Sequence, residues 1–333
     1  MLDLKLASSK KRIRSLAVLT SGGDAPGMNA AIRAVVRYGI SRGCQVYGVQ
    51  KGYNGLFENQ MSQLQLSSVA NIIQRGGTIL KTSRSEEFLK KSGRARCGEN
   101  LERRGIEALV VIGGDGSFRG AHFFQKETGI PVMGIPGTID NDIIGTDDTI
   151  GYDTAVNTAI EAIDRIRDTA SSHDRLFLVE VMGRSSGEIA LMTGIGGGAE
   201  TILVPEHQES IPSVIKTIER GVRRGKTSSI IVVAEGHEAG RTGKIAKLLQ
   251  KKGYRPKICT LGHIQRGGSP TARDRLLASA FGAAAVAYLC AGKSDSMVGT
   301  QENKMGLAPL SQVIHHTKPL DQSGFDLARV LAT

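Results

Sequence analysis

Two aspartates, Asp140 and Asp142, stand two residues apart in GIPGTIDNDIIGTDD, an acidic loop in a basic chain. In an extended segment that spacing places both carboxylates on one face, where one can act as a base while the other positions a reactant or meets a metal. The same density also arises from the ordinary use of Asp and Asn in turns and caps. A third acid, Asp115, lies in ALVVIGGDGSFRGA, where an apolar run breaks into glycines and resumes as a helix pattern. Such a turn cradles phosphate with backbone N–H groups at the positive end of a helix, yet a carboxylate there repels a nucleotide. A divalent cation reconciles the two, because Mg²⁺ takes one or two carboxylates and fills its remaining positions with water and phosphate oxygens. A solvated cap at Asp115 is the plainer alternative. The stretch LTSGGDAPGMNAAIR repeats the glycine turn around Gly23, with a helix expected from about Met28. Basic groups follow two further apolar runs: Arg184 in VEVMGRSSGE, and His263 with Arg266 in LGHIQRGGSP. Guanidinium forks hold phosphate bidentately; His263 taken alone reads as structural. Neither glycine turn has the G-x-x-x-x-G-K-[ST] pattern, and GIGGGAE is not a dinucleotide fingerprint. Glycine loops with one metal-suited acid, an acidic loop able to supply a base, and separate arginines together describe a two-substrate phosphoryl-transfer site.

The elements that must position these groups follow from hydrophobic patterning. SLAVLT, QVYGV, ALVVIG, PVMGIP, LFLVEVMG, TILVP, SIIVVAEG and KICTLGH read as buried parallel strands. Helical segments lie between them; residues 153–170 align Val156, Ala159, Ile160, Ile163 and Ile166 on one stripe. The pattern is α/β with mostly parallel sheets, and ligands in such sheets bind beyond the carboxyl ends of the strands. The length of 333 residues suggests two lobes, with no flexible linker between them.

A net charge of +11 fits nucleic acid, an anionic membrane or small polyanions. Aromatic residues are only 4% and tryptophan is absent, which argues against a base-stacking surface. LLASAFGAAAVAYLCAG reads as a packed Ala/Gly-rich helix, and no run is long and apolar enough to cross a membrane. Four irregularly spaced cysteines suggest neither a disulfide framework nor a zinc site, and MLDLKLASSKKRIR lacks a secretory h-region, so a cytoplasmic location is expected.

Read in order, TSGGDAPGMNAAIR, IGGDGS, PGTIDND, VEVMGR and LGHIQRGGSP resemble the bacterial ATP-dependent 6-phosphofructokinase family from about Arg14 onward. That resemblance implies two similar three-layer α/β/α lobes assembled as a homotetramer with shared active sites. Residues 1–150 with about 262–312 would bind ATP; about 151–261 with 313–333 would bind fructose 6-phosphate. By the same resemblance Gly23, Arg84, Ser85, Gly114, Asp115, Gly116 and Ser117 would contact ATP, with Tyr53 near its base and Asp115 on Mg²⁺. Thr138, Ile139, Asp140, Arg175, Met182, Gly183, Arg184, Glu235, Lys257, His263 and Arg266 match sugar-phosphate positions. Asp140 would take the proton of the sugar 1-hydroxyl, with Asp142 beside it; Arg184 and Thr138 would steady the transferring phosphoryl group. Lys257 replaces a usual arginine that reaches from a neighbouring subunit, keeping charge but losing the fork.

The resemblance also implies a basic cleft for ADP or phosphoenolpyruvate that would include Arg33, Arg37, Arg167, Arg224 and Lys226, with Glu200 meeting the effector's metal. Leu66 stands where an arginine is usual there, and Thr227 and Ser228 replace a basic pair. Two alternatives accompany this reading. One is a pyrophosphate-dependent relative, which the glycines at 116 and 137 disfavour, because that branch usually carries Asp and Lys there. The other is a catalytically idle regulatory or nucleic-acid-binding protein, which the retained Asp115 and Asp140 disfavour.

Overall fold

Among the described residues eleven strands form, eight of them where the apolar runs predict them. The eleven are β1 Ser15–Thr20, β2 Gln45–Val49, β3 Met61–Leu64, β4 Ala108–Gly113, β5 Val132–Pro136, β6 Leu176–Val181, β7 Thr201–Leu203, β8 Ser229–Ala234, β9 Lys257–Thr260, β10 Ser296–Gln301 and β11 Lys304–Pro309. The structure is a computed structural model that describes residues 13–170, 176–207, 209–226, 228–236, 238 and 240–332.

The chain divides into two compact units. The first holds the residues up to Thr138, Ile143–Asp153 and Gly267–Lys318; the second holds Ile139–Asp142, Thr154–Arg266 and Pro319–Thr333. The crossings thus fall after Asp153, Arg266 and Lys318 rather than after 150, 261 and 312. Local bonding accounts for the first shift: the Thr271 hydroxyl donates to Asp153 at 2.6 Å, tying the first turn of the helix Tyr152–Ala170 to the first unit. Sequence reading also missed the four-residue excursion that carries Asp140 and Asp142 into the second unit.

In the first unit a seven-stranded sheet runs β11-β10-β5-β4-β1-β2-β3. Its five inner strands are parallel, and β3 and β11 pair antiparallel at the edges. Every residue of β1 and β4 is buried, as unbroken apolar runs require when both faces of a sheet are covered. The hairpin between β10 and β11 turns at Glu302 and Asn303, both left-handed, the pair of conformations that matches strand twist in a two-residue turn. Helices Met28–Ser41 and Ala272–Cys290 touch main chain to main chain: a Cβ on Gly282 would lie 2.7 Å from the Ala31 carbonyl oxygen. A hydrophobic core of this unit packs Phe88, Phe118 and Phe124 with Leu101 and Leu109.

The second unit has a smaller sheet, β7-β8-β6-β9, all parallel. Leu178, Leu203, Ile231 and Val233 meet Val214, Ile218 and Leu249 from the helices Ile211–Arg223 and Arg241–Gln250. In the helix Glu188–Gly196, a Cβ on Gly194 would lie 2.4 Å from the Ile202 side chain of β7. The segment KICT is parallel as expected but not buried, because β9 is an edge strand, with Lys257 exposed and Ile258 47% exposed.

Candidate functional site

In the first unit the glycine turn after β4 delivers the helix Asp115–Thr128. Its cap is Gly114, so no side chain covers the N-terminus, and Asp115 and Gly116 are exposed on its first turn. Ser117 is buried beneath them; its hydroxyl donates to the Ser21 hydroxyl at 2.9 Å, stitching this turn to the turn after β1. Thr138 stands close by: a Cβ on Gly114 would lie 3.7 Å from the Thr138 Cβ. The backbone N–H groups and helix dipole suit phosphate, while the exposed Asp115 carboxylate suits Mg²⁺. Among the described residues no group of three or more His, Cys, Asp or Glu could hold a metal. A cation at Asp115 therefore needs phosphate oxygens and water to complete its shell, which is how Mg²⁺ accompanies a nucleotide.

Arg84 and Gly23 are exposed in the same unit. The Ser85 hydroxyl caps the short helix Glu86–Leu89 by accepting from the Phe88 N–H at 3.3 Å. Tyr53 is placed differently from its sequence expectation. It is buried, stacked on Phe88 with ring centroids 3.8 Å apart, and its hydroxyl donates to the Ser117 carbonyl at 2.6 Å. Burial holds its phenol well above the usual range. Tyr53 therefore props the first turn of the helix from inside the core.

In the second unit Asp140 is buried, 3% exposed, two residues after the chain leaves the first unit. The Arg184 Nε stands 4.0 Å from Asp140 Oδ2, with the guanidinium largely in solvent. Burial, chiefly, and the neighbouring Asp142 push the Asp140 carboxyl up to about 6, with Glu235 adding to the rise and Arg266 and Arg184 opposing it. A carboxylate so poised is ionised at neutral pH yet basic enough to accept a proton.

Backbone strain shapes the loop that carries Arg184. Gly183 has φ +140 and Arg184 φ +52, the left-handed region that a side chain adopts only when its surroundings require it. Here the Arg184 N–H donates to Glu235 Oε1 at 3.1 Å, and the Ser186 N–H donates to the Gly183 carbonyl at 2.8 Å. Met182 and Ile139 are buried, so their main chain rather than their side chains can meet a ligand. His263 is exposed and Arg266 half-buried on the 3₁₀ turn Gly262–Arg266. Lys257 lies on exposed β9, and Arg175 falls outside the described residues.

A family model described as Phosphofructokinase matches residues 15–289. The chain belongs to the phosphofructokinase family. An "ATP-dependent 6-phosphofructokinase 1" from Thermus thermophilus is 54% identical over 321 residues, covering 96% of this chain and 100% of that one. A relative named "ATP-dependent 6-phosphofructokinase" from Brevibacillus brevis is 51% identical with the same coverage. Among solved structures, phosphofructokinase from Saccharomyces cerevisiae superposes with a TM-score of 0.85 at 36% identity, covering 96% of this chain and 46% of that one. This chain thus spans about half the yeast subunit's length. A pyrophosphate-dependent phosphofructokinase from Marinobacter aquaeolei shares the fold, with a TM-score of 0.81 at 23% identity, covering 96% of this chain and 92% of that one.

The positions matched to the phosphofructokinase effector cleft lie in both units. Arg33 and Arg37 sit on the helix Met28–Ser41 of the first. In the second, Glu200 is not the open metal ligand expected: it is buried, 3.2 Å from Lys226 Nζ, and accepts from the Ile230 N–H at 2.6 Å. Arg167 donates to the Gly197 and Gly198 carbonyls at 2.6 and 2.9 Å, while Arg224 is exposed. Leu66 is 48% exposed; Thr227 lies outside the described residues. A cavity of about 410 Å³ in this unit takes Glu200, Glu209, Arg220, Phe325 and Arg329 into its lining but none of the sugar-matched residues.

Sequence reading missed Asn29 as a positioning group. Its amide donates to the Arg75 and Gly77 carbonyls at 2.9 and 2.8 Å and accepts from the Ile79 N–H, holding 75–79 over the first turn.

Proposed function

We propose that this chain is an ATP-dependent 6-phosphofructokinase that transfers the γ-phosphoryl group of MgATP to the 1-hydroxyl of fructose 6-phosphate, giving fructose 1,6-bisphosphate and ADP. The observation that carries the reading is Asp140: a buried carboxylate, raised to about 6, with Arg184 4.0 Å away in a chain of this family. Gly23, Arg84, Ser85 and the turn Gly114–Ser117 bind the nucleotide, with Tyr53 bracing that turn. Asp115 would hold Mg²⁺, which would supply charge neutralisation to the phosphates. Met182, Gly183, Glu235, His263, Arg266 and Arg175 hold the sugar phosphate, and Lys257 reaches it from a neighbouring subunit of a homotetramer.

The chemistry asks little covalent work of the protein, since phosphoryl transfer is governed by alignment and charge neutralisation. Asp140 accepts the hydroxyl proton as the oxygen attacks; burial, and then repulsion from Asp142, keeps it basic. Arg184 and Thr138 steady the charge on the transferring group. The reading also places the enzyme in the cytoplasm, among the enzymes of sugar breakdown; no helix of the described residues is long and apolar enough to cross a membrane. A coupled assay for ADP formation from fructose 6-phosphate and MgATP tests the proposal, and turnover no higher than background removes it.

A further inference from the structure

A buried amide joins the segments that carry the sugar-matched residues of the second unit. Gln265 has no exposed surface. Its Oε1 accepts from the Met182 N–H at 2.8 Å, and its Nε2 donates to the Ala155 carbonyl at 3.3 Å. Three segments therefore meet at one side chain: the turn Gly262–Arg266, the loop from Met182 to Arg184, and the first turns of the helix Tyr152–Ala170. Two of the three carry the arginines whose charge acts on Asp140.

We propose that Gln265 is a positioning residue for sugar-phosphate recognition, fixing the Met182–Arg184 loop relative to the turn that presents His263 and Arg266. The inference rests on the sugar-kinase reading above. Arg184, at φ +52 directly after Gly183 at φ +140, is held in a conformation that a residue with a side chain rarely adopts. A strained loop keeps its shape only while its surroundings over-determine it. Glu235 holds the loop at the Arg184 N–H and Gln265 holds it at the Met182 N–H. Loss of the Gln265 contact leaves a buried N–H without its acceptor and frees one end of the strained segment. The groups at risk are those that must converge on one small anionic substrate, where a displacement of about 1 Å costs on the order of a hundredfold. Gln265 itself touches no reacting atom.

The test uses the full-length enzyme with Gln265→Met and Gln265→Glu. Methionine keeps the volume and removes both hydrogen bonds. A buried glutamic acid is held protonated and then offers the same acceptor and one donor. The expected result is a fructose 6-phosphate KM raised about tenfold or more in Gln265→Met and by less in Gln265→Glu. The KM for ATP stays within about twofold, while kcat falls with the sugar affinity because Arg184 sits on the freed loop. A folded Gln265→Met with a wild-type sugar KM overturns the inference. So does an equal rise in both KM values, or failure of both variants to fold, which would make Gln265 a stability residue. If only the methionine variant fails to fold, a wild-type-like ATP KM with a raised sugar KM in Gln265→Glu supports the inference, and an unchanged sugar KM overturns it. Absence of turnover in the wild-type chain would instead remove the kinase reading, so the two failures are distinct.

Discussion

Asp140 is where one atom's surroundings determine both rate and stability. Asp140→Asn keeps the shape and removes the base, so kcat should fall about 10²–10⁴-fold with the sugar KM little changed, measured in the coupled assay. A raised sugar KM with intact kcat would make it a binding group instead. With its carboxyl at about 6, the wild-type rate should fall as pH drops through that value, one proton per site. The stability consequence has the opposite sense from a salt-bridged aspartate. Its carboxyl is raised in the folded state from 3.8 to about 6, so ionisation opposes folding. The penalty is absent below 3.8, grows between the two values and is complete above 6. Asp140→Asn should therefore stabilise the fold by up to about 3 kcal/mol at pH 7.5, and by nothing near pH 3.5, in denaturant titrations.

At the scale of elements, the loop after β6 is the most constrained piece of the second unit. Gly183→Ala would bring a Cβ 2.3 Å from the Ser186 carbonyl oxygen at φ +140, so it should cost about 3 kcal/mol and raise the sugar KM sharply. A denaturant midpoint and a sugar KM unchanged from wild type would show that the loop tolerates the side chain. Much of this architecture is legible in the sequence. Unbroken apolar runs specified β1, β4 and β8, and the glycine turns after β1 and β4 marked the first unit's loops. The edge elements were not legible. MSQL in β3 is short and polar at its centre, and the β10–β11 hairpin turns at Glu302 and Asn303 without a glycine. KICT looked buried because apolar content does not distinguish a central strand from an edge. In the site, acids and arginines announced themselves by type and spacing. Asn29 and Gln265 did not, since a polar side chain that satisfies main-chain groups leaves no periodic trace. Tyr53 was mistaken in its setting for a similar reason: an aromatic in GYNGLF suits a ligand face and a core equally.

For the whole molecule the phosphoryl donor and the regulation are the quantities to measure. A Cβ on Gly116 would meet nothing within 4 Å, whereas one on Gly137 would lie 3.0 Å from Ile112. The space in front of the helix Asp115–Thr128 thus stays open for a nucleotide, and MgATP should give a higher kcat/KM than pyrophosphate; the reverse would reassign the donor. Regulation should be weak. Lys226 and Arg167 are already engaged with Glu200 and with the Gly197 and Gly198 carbonyls, and Leu66 offers no charge. An effector must compete for those cations or forgo contacts of about 1.5–3 kcal/mol each, and an allosteric shift needs a difference in affinity between states. Sugar saturation curves at fixed MgATP should move little with low ADP or phosphoenolpyruvate, and a large shift with either would refute this. The crossing of the helices Met28–Ser41 and Ala272–Cys290 has a bearing on how this sequence can drift over generations. At Gly194 the obstacle to a methyl group is the Cγ1 and Cδ1 of the Ile202 side chain, so Gly194→Ala should be rescued by removing both, as in Ile202→Ala. At Gly282 the obstacle includes the Ala31 carbonyl, which no codon change at a neighbouring position removes. In a second-site suppressor screen scored by thermal inactivation, revertants of Gly282→Ala should return only glycine, whereas those of Gly194→Ala should also recover changes at Ile202. Identity at 282 is thus inherited as a condition of the main-chain crossing, closed to the compensatory paths by which most buried positions wander.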